Sequence, residues 1–262
     1  MDSRPVSVVA VVGSGVIGAS WAGFFLARGL DVIAWDPASG AEKRVRAAVA
    51  LHWPALERLG LSSGASLDRL RFAASPEQAV ANAEFVQESG PERLDVKAEL
   101  FRRLDTAAPP TVVLASSSSG LLPSGIQARC EHPERVVVGH PFNPPHLVPL
   151  VEVVGGRRTD PAVINRAIAF YAALGKRPIR LDRELPGHVA NRLQAALWRE
   201  AFHLIDRGVA SVADIDAAIA HGPRLRWGLL GPFLNLHLRA ARVGCATRST
   251  ISAHRWRAGG MT

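Results

Sequence analysis

Two residues set the chemical question. His140 ends the apolar run Val136-Val137-Val138-Gly139, and Glu152 is the lone acid within the run Leu150–Val154. A carboxylate inside a Val/Leu strand is costly to bury unless something pairs with it. A histidine on the neighbouring strand would be such a partner, and a carboxylate that orients an imidazole is half of a proton-transfer device. Four serines, Ser116 to Ser119, follow a third apolar run, Val112–Ala115. Alone they read as turn chemistry. They gain a functional reading if their strand ends on the same sheet edge as that of His140, because ligands of open α/β sheets bind beyond the carboxyl ends of the strands. Asn191-Arg192 lies near the start of an otherwise apolar helical stretch, where an asparagine is as readily structural as functional.

The elements that must position these groups begin with the β-branched run Val6–Val12, followed directly by Gly13-Ser14-Gly15-Val16-Ile17-Gly18 and a helical stretch, Ala19–Arg28. A second strand, Asp31–Trp35, ends at Asp36, eighteen residues past Gly18. A glycine-rich turn by itself is weak evidence; between a strand and a helix, with an acid at that distance, it is a dinucleotide-binding signature. Gly13 permits the tight turn, Gly15 the approach of a pyrophosphate, and Gly18 close helix–strand packing, with the helix N-terminus facing the phosphate charge. Asp36 would accept hydrogen bonds from a ribose and repel a 2′-phosphate, so the expected cofactor is NAD rather than NADP.

Helical stretches at Glu42–Leu59 (interrupted at Pro54, which should kink or end it), Pro76–Asn82, Glu92–Leu104 and Pro161–Leu174 alternate with strands at Leu70–Ala73, Glu84–Glu88, Val112–Ala115 and Arg177–Leu181. That alternation predicts an α/β fold with a doubly wound parallel sheet. From Pro186 strand runs give way to helical spacing over Pro186–Asp206, Val212–His221 and Leu229–Leu238. The reading is a Rossmann-type domain over 1–183 and a smaller all-helical domain over 184–238.

The 262 residues carry a formal charge of +8, but Arg239–Thr262 alone holds five arginines and no acid. Elsewhere basic residues are mixed with acids, as in EKRVR and ELFRRLD, a solvated-face pattern without the aromatic–basic interleaving of single-strand binders. No nucleic acid, membrane or metal is expected as a partner. Two cysteines outside any CxxC spacing, and no signal peptide, fit a cytoplasmic chain.

The blocks GSGVIG, QESGPERLDVKAELFRRLD, ASSSSGL, GHPFNPP, PLVEVV and GHVANRLQAALWREA, in this order, resemble the L-3-hydroxyacyl-CoA dehydrogenase family as far as Leu238. The resemblance implies an NAD domain followed by a helical domain that closes the cleft and forms a homodimer. It implies interconversion of a 3-hydroxyacyl group and its 3-keto form, with His140 as acid/base, Glu152 as its orienting partner, and Ser119 and Asn191 on the substrate oxygen. Glu92, Lys97 and Asn143 match positions lining the cofactor and substrate cleft. Between the second and third strands, LHWPALERLGLSSGAS lacks the lysines with which acyl-CoA members hold the carrier. GPRLRWGLLGPF resembles the branch containing L-gulonate 3-dehydrogenase, lambda-crystallin and L-carnitine dehydrogenase, and actinomycete polyketide ketoreductases look similar. Arg226 in that block could clamp a free carboxylate bidentately. The alternatives to an acyl-CoA substrate are therefore a free 3-hydroxy acid, a polyketide, or no turnover at all in an NAD-binding structural protein.

Arg239–Thr262 has no helical or strand period. Read one base out of register with GC-rich codons, it gives a glycine-rich turn and a helix start of the kind that relatives carry there. The expectation is a frameshifted tail and a shortened helical domain, which resequencing near codon 238 would decide.

Overall fold

A computed structural model describes residues 6–240, with side chains to residue 238. The tail to which the frameshift expectation applies lies outside the described residues but for the first two. β1 (Val8–Val12) leads into α1 (Val16–Ala27), and β2 (Asp31–Trp35) lies parallel to β1. α2 (Ala41–Leu59) crosses to β3 (Leu70–Phe72), parallel to β2. The chain then builds outward on the other side of β1: α3 (Pro76–Val80), β4 (Phe85–Glu88), α4 (Leu94–Ala107), β5 (Val113–Ser116), α5 (Pro123–Ile126) and β6 (Val136–Pro141). β7 (Leu150–Gly155), α6 (Pro161–Ala173) and β8 (Arg177–Arg180) complete it. The eight strands lie in the order β3-β2-β1-β4-β5-β6-β7-β8, and only the β6–β7 pair is antiparallel.

Both faces of the sheet are covered. Val9 and Val11 of β1 join one apolar cluster with Trp21, Phe24, Phe25 and Phe170, while Ala10 and Val12 join another with Phe101, Leu104 and Ile126. Two-sided burial is why these strands read as unbroken apolar runs rather than alternating ones. α1 is buried on every side from Gly18 to Ala27, which explains its lack of a polar stripe.

Three boundaries differ from expectation. α2 runs through Pro54 without ending, because Val49 and Leu56 on either side of it both pack on α1 at Gly23 and hold the helix in place. The helix expected from Pro186 begins at Ala190, since Gly187 and His188 both adopt positive φ. The helix expected over Leu229–Leu238 begins at Pro232, and Pro223–Trp227 before it forms a separate short helix.

The chain divides into two compact units, one reaching Leu193 and one beginning at Gln194. The second holds the remainder of α7 (Ala190–Asp206), α8 (Val212–His221), α9 (Pro223–Trp227) and α10 (Pro232–Ala240). Ser211 and Asp214 form a reciprocal capping box that starts α8. No helix among the described residues is long and apolar enough to cross a membrane.

Candidate active site

The antiparallel register of β6 and β7 sets His140 opposite Glu152. Nδ1 of His140 lies 2.9 Å from Oε2 of Glu152, and both side chains are buried. Oε1 of the same carboxylate accepts the backbone N–H groups of Val189 and Ala190, each at 2.9 Å. Burial pushes the Glu152 carboxyl up, but the bonds from His140 and the two amides outweigh it and hold the group below the usual carboxylate range. An ionised carboxylate can only accept, so Nδ1 of His140 carries the hydrogen and Nε2 is left as a base.

Beside His140, the serine loop at the end of β5 is wrapped around Glu92. Its Oε1 accepts from Ser118 Oγ (2.7 Å) and from the amides of Ser119 (3.0 Å), Gly120 (2.8 Å) and Leu121 (3.3 Å). Burial raises the Glu92 carboxyl; Ser118, the amides and Lys97 lower it further than burial raises it. Ser119 is exposed, and Asn191 Nδ2 lies 3.5 Å from its carbonyl oxygen. The serine cluster and the His140 strand therefore share one sheet edge, the condition on which the functional reading of the serines depended. Lys97 is 1 % exposed, with its amine 2.7 Å and 3.0 Å from the carboxylate oxygens of buried Glu88 and 3.1 Å from the Gly90 carbonyl. Asn143 is exposed on the loop between β6 and β7. Arg226 is exposed on α9, in the second unit.

At the other end of the sheet edge, the glycine loop has the shape a pyrophosphate requires. Gly13 holds φ 90°, and a Cβ on Gly18 would come within 1.9 Å of the Gly13 carbonyl oxygen. A Cβ on Gly15, by contrast, would meet nothing within 4 Å, so the backbone there is open to a ligand. Val16 and Ile17 start α1, and no side chain caps its N-terminus. Asp36 Oδ2 accepts the Ser14 amide at 2.8 Å, which ties the end of β2 to the loop.

The 3-hydroxyacyl-CoA dehydrogenase NAD-binding domain model matches residues 8–185, and the C-terminal domain model of the same family matches 187–257. The chain belongs to the 3-hydroxyacyl-CoA dehydrogenase family. L-carnitine dehydrogenase of Streptomyces griseus is 56% identical over 238 residues, covering 91% of this chain and 71% of that protein. L-carnitine dehydrogenase of Pseudomonas putida is 53% identical over 239 residues, covering 91% and 74%. Among solved structures, the NAD+-dependent dismutase FHMPC 5-dehydrogenase superposes with a TM-score of 0.86 at 31% identity, covering 95% of this chain and 81% of that one. As a member of this family the chain is an NAD-dependent dehydrogenase acting on a CH–OH group.

Sequence reasoning missed His188, which is buried 5.0 Å from His140 between ring centroids, and the buried pair that Glu88 makes with Lys97. The only signal was a Gly-His dipeptide, Gly187-His188, which repeats Gly139-His140.

Proposed function

We propose that this dehydrogenase oxidises a free 3-hydroxy acid, L-carnitine, to its 3-keto form. The observation that carries the chemistry is the His140–Glu152 pair. With Nδ1 committed to Glu152, His140 Nε2 takes the proton of the 3-hydroxyl, and Glu152 stabilises the imidazolium that results. Bound NAD supplies the acceptor for the hydride leaving the same carbon. Ser119 and Asn191 hold the substrate oxygen, and in the reverse direction the His140 imidazolium returns the proton. Glu92, with Lys97 behind it, shapes the serine loop, and Asn143 lines the cleft.

The substrate rests on separate support. The relatives at 52–56% identity are L-carnitine dehydrogenases. Residues 51–66 hold a single cation, Arg58, where an acyl-CoA carrier would call for several. Arg226 is our proposed contact for the free carboxylate; Arg226→Lys, which loses the bidentate fork, should raise KM for the acid and leave NADH affinity unchanged. The homodimer belongs to the same proposal, supported by exposed Trp198, Phe202, Leu229 and Phe233 in the second unit, and sedimentation would test it.

The deciding assay follows NAD reduction with L-carnitine and with (S)-3-hydroxybutyryl-CoA. Turnover of carnitine and not of the thioester is expected; thioester turnover alone would overturn the substrate. His140→Gln should lower kcat by ~10²–10⁴-fold while NADH still binds. Near-normal turnover in that variant would sink the acid/base assignment.

A further inference from the structure

The turn that feeds α7 carries a second histidine with no part in the proton transfer described above. His188 is 0 % exposed and holds φ 52°, the only non-glycine residue in the left-handed region among the described residues. That region is sparsely populated by residues bearing a Cβ, histidine being among the more tolerant, and it persists where the surroundings over-determine it. The surroundings are on hand. The next two amides, Val189 and Ala190, are the pair that meets Glu152 Oε1, so the left-handed turn aims the start of α7 at the carboxylate that orients His140.

The side chain makes its own connection. Nε2 of His188 lies 3.0 Å from the carbonyl oxygen of Ser118. A carbonyl only accepts, so Nε2 must carry a hydrogen. Nδ1 is buried with no hydrogen-bond partner among the described residues. A proton there would be an unsatisfied buried donor on a cation, a costly arrangement, so the ring is the neutral Nε2–H tautomer. The titratable groups around it are His140 on β6, Glu152 on β7 and Glu92 ahead of α4. Burial lowers the His188 pKa first, the Ser118 carbonyl raises it, and His140 lowers it again; the net direction is down. Its ring is tilted 39° to that of His140.

We propose that His188 is a positioning residue for the hydride-transfer site, joining the serine loop, the His140 ring and the Glu152 anchor into one rigid assembly. Ser118 is gripped from two sides, its hydroxyl on Glu92 and its carbonyl under His188, and Ser119 follows directly. The distance from the Ser119 hydroxyl to His140 Nε2 is thereby set by His188, and a neutral ring there adds no second cation when His140 holds the substrate proton. The inference rests on the acid/base reading of His140.

The test uses the full chain and two variants. Gln places an amide nitrogen near the position of Nε2 and can restore the bond to the Ser118 carbonyl; Leu cannot. His188→Leu should lower kcat by roughly 10–100-fold, the scale on which small misplacements act, with NADH affinity within about twofold of the parent. His188→Gln should recover most of that loss. Wild-type kcat in a His188→Leu protein that binds NADH would overturn the proposal, as would a Gln variant no better than Leu. Nitrogen-15 imidazole spectra of the unsubstituted chain give a reading that needs neither variant to fold: the neutral Nε2–H tautomer at pH 7 is expected, and an Nδ1–H or cationic ring defeats the proposal. Run in parallel, His140→Gln separates the two failures. Its continued turnover would refute the acid/base reading, whereas a dead His140→Gln beside an unaffected His188→Leu would refute the positioning role alone.

Discussion

Asp36 uses both oxygens within the fold, Oδ2 on the Ser14 amide and Oδ1 on the Ala38 amide. The two bonds fix the carboxylate against the glycine loop, where we propose that it accepts from a ribose diol. The same fixed charge opposes a 2′-phosphate. Asp36→Ala should therefore weaken NADH binding by roughly tenfold or more, the worth of a charge-assisted hydrogen bond, and weaken NADPH less or not at all. Titrating both nucleotides into the variant checks it; an unchanged preference for NADH would mean that selectivity lies elsewhere. Substitution of Glu152 acts at two ends. Glu152→Gln has only one acceptor oxygen for the His140 ring and the amides of Val189 and Ala190, so kcat should fall by about 10²-fold while NADH affinity stays as in the parent. Parental kcat in that variant would remove Glu152 from the mechanism.

The loop between β6 and β7 reaches back to α1. Ser20 Oγ accepts the His146 amide at 2.9 Å and lies 2.7 Å from His146 Nδ1. Buried Lys176 adds its amine to the Pro145 carbonyl and, at 3.0 Å, to that of Val148, with the Phe24 ring 4.1 Å away. The His52 ring stacks on His146 at 4.1 Å. Burial first, then His52 and Lys176, push the His146 pKa down to about 4. The unfolded chain, with that group near 6.5, takes up more protons between those values, so stability rises with pH across the window and is lost as pH falls from about 6.5 to about 4. The loss levels off below pH 4. Urea midpoints at pH 7 and pH 5 should differ measurably in the parent and less in His146→Gln; equal slopes in the two would sink the assignment to His146. Little of this clamp was legible beforehand, because no spacing in the sequence links Ser20 to His146 across 126 residues. The strands and the His140–Glu152 pairing were legible, since apolar runs and a lone buried acid are local signals. Pro54 and the start of α7 misled for the opposite reason: packing on α1 carried a helix through the proline, and left-handed Gly187 and His188 delayed another by four residues.

Over the whole molecule, burial is distributed unevenly. Among the described residues every buried one belongs to the first unit, and from Gln194 on none is buried. Local opening free energy follows buried apolar contact, so amides of β1, β4, β5 and β6 should exchange slowest and those of α8 and α9 fastest. The cofactor acts on the slow part. A ligand that binds only the folded state at ~100 times its Kd adds ~2.7 kcal/mol, and the groups proposed to hold NAD, Gly13 to Gly18 and Asp36, follow the carboxyl ends of β1 and β2, with Val16, Ile17 and Gly18 opening α1. Hydrogen exchange with and without saturating NADH should therefore show its largest added protection in β1, the start of α1 and β2. Asp36→Ala should shrink that protection in step with its weaker affinity. Protection confined to α8–α10, or none in the glycine loop at saturation, would mean that the nucleotide sits somewhere other than on this sheet edge.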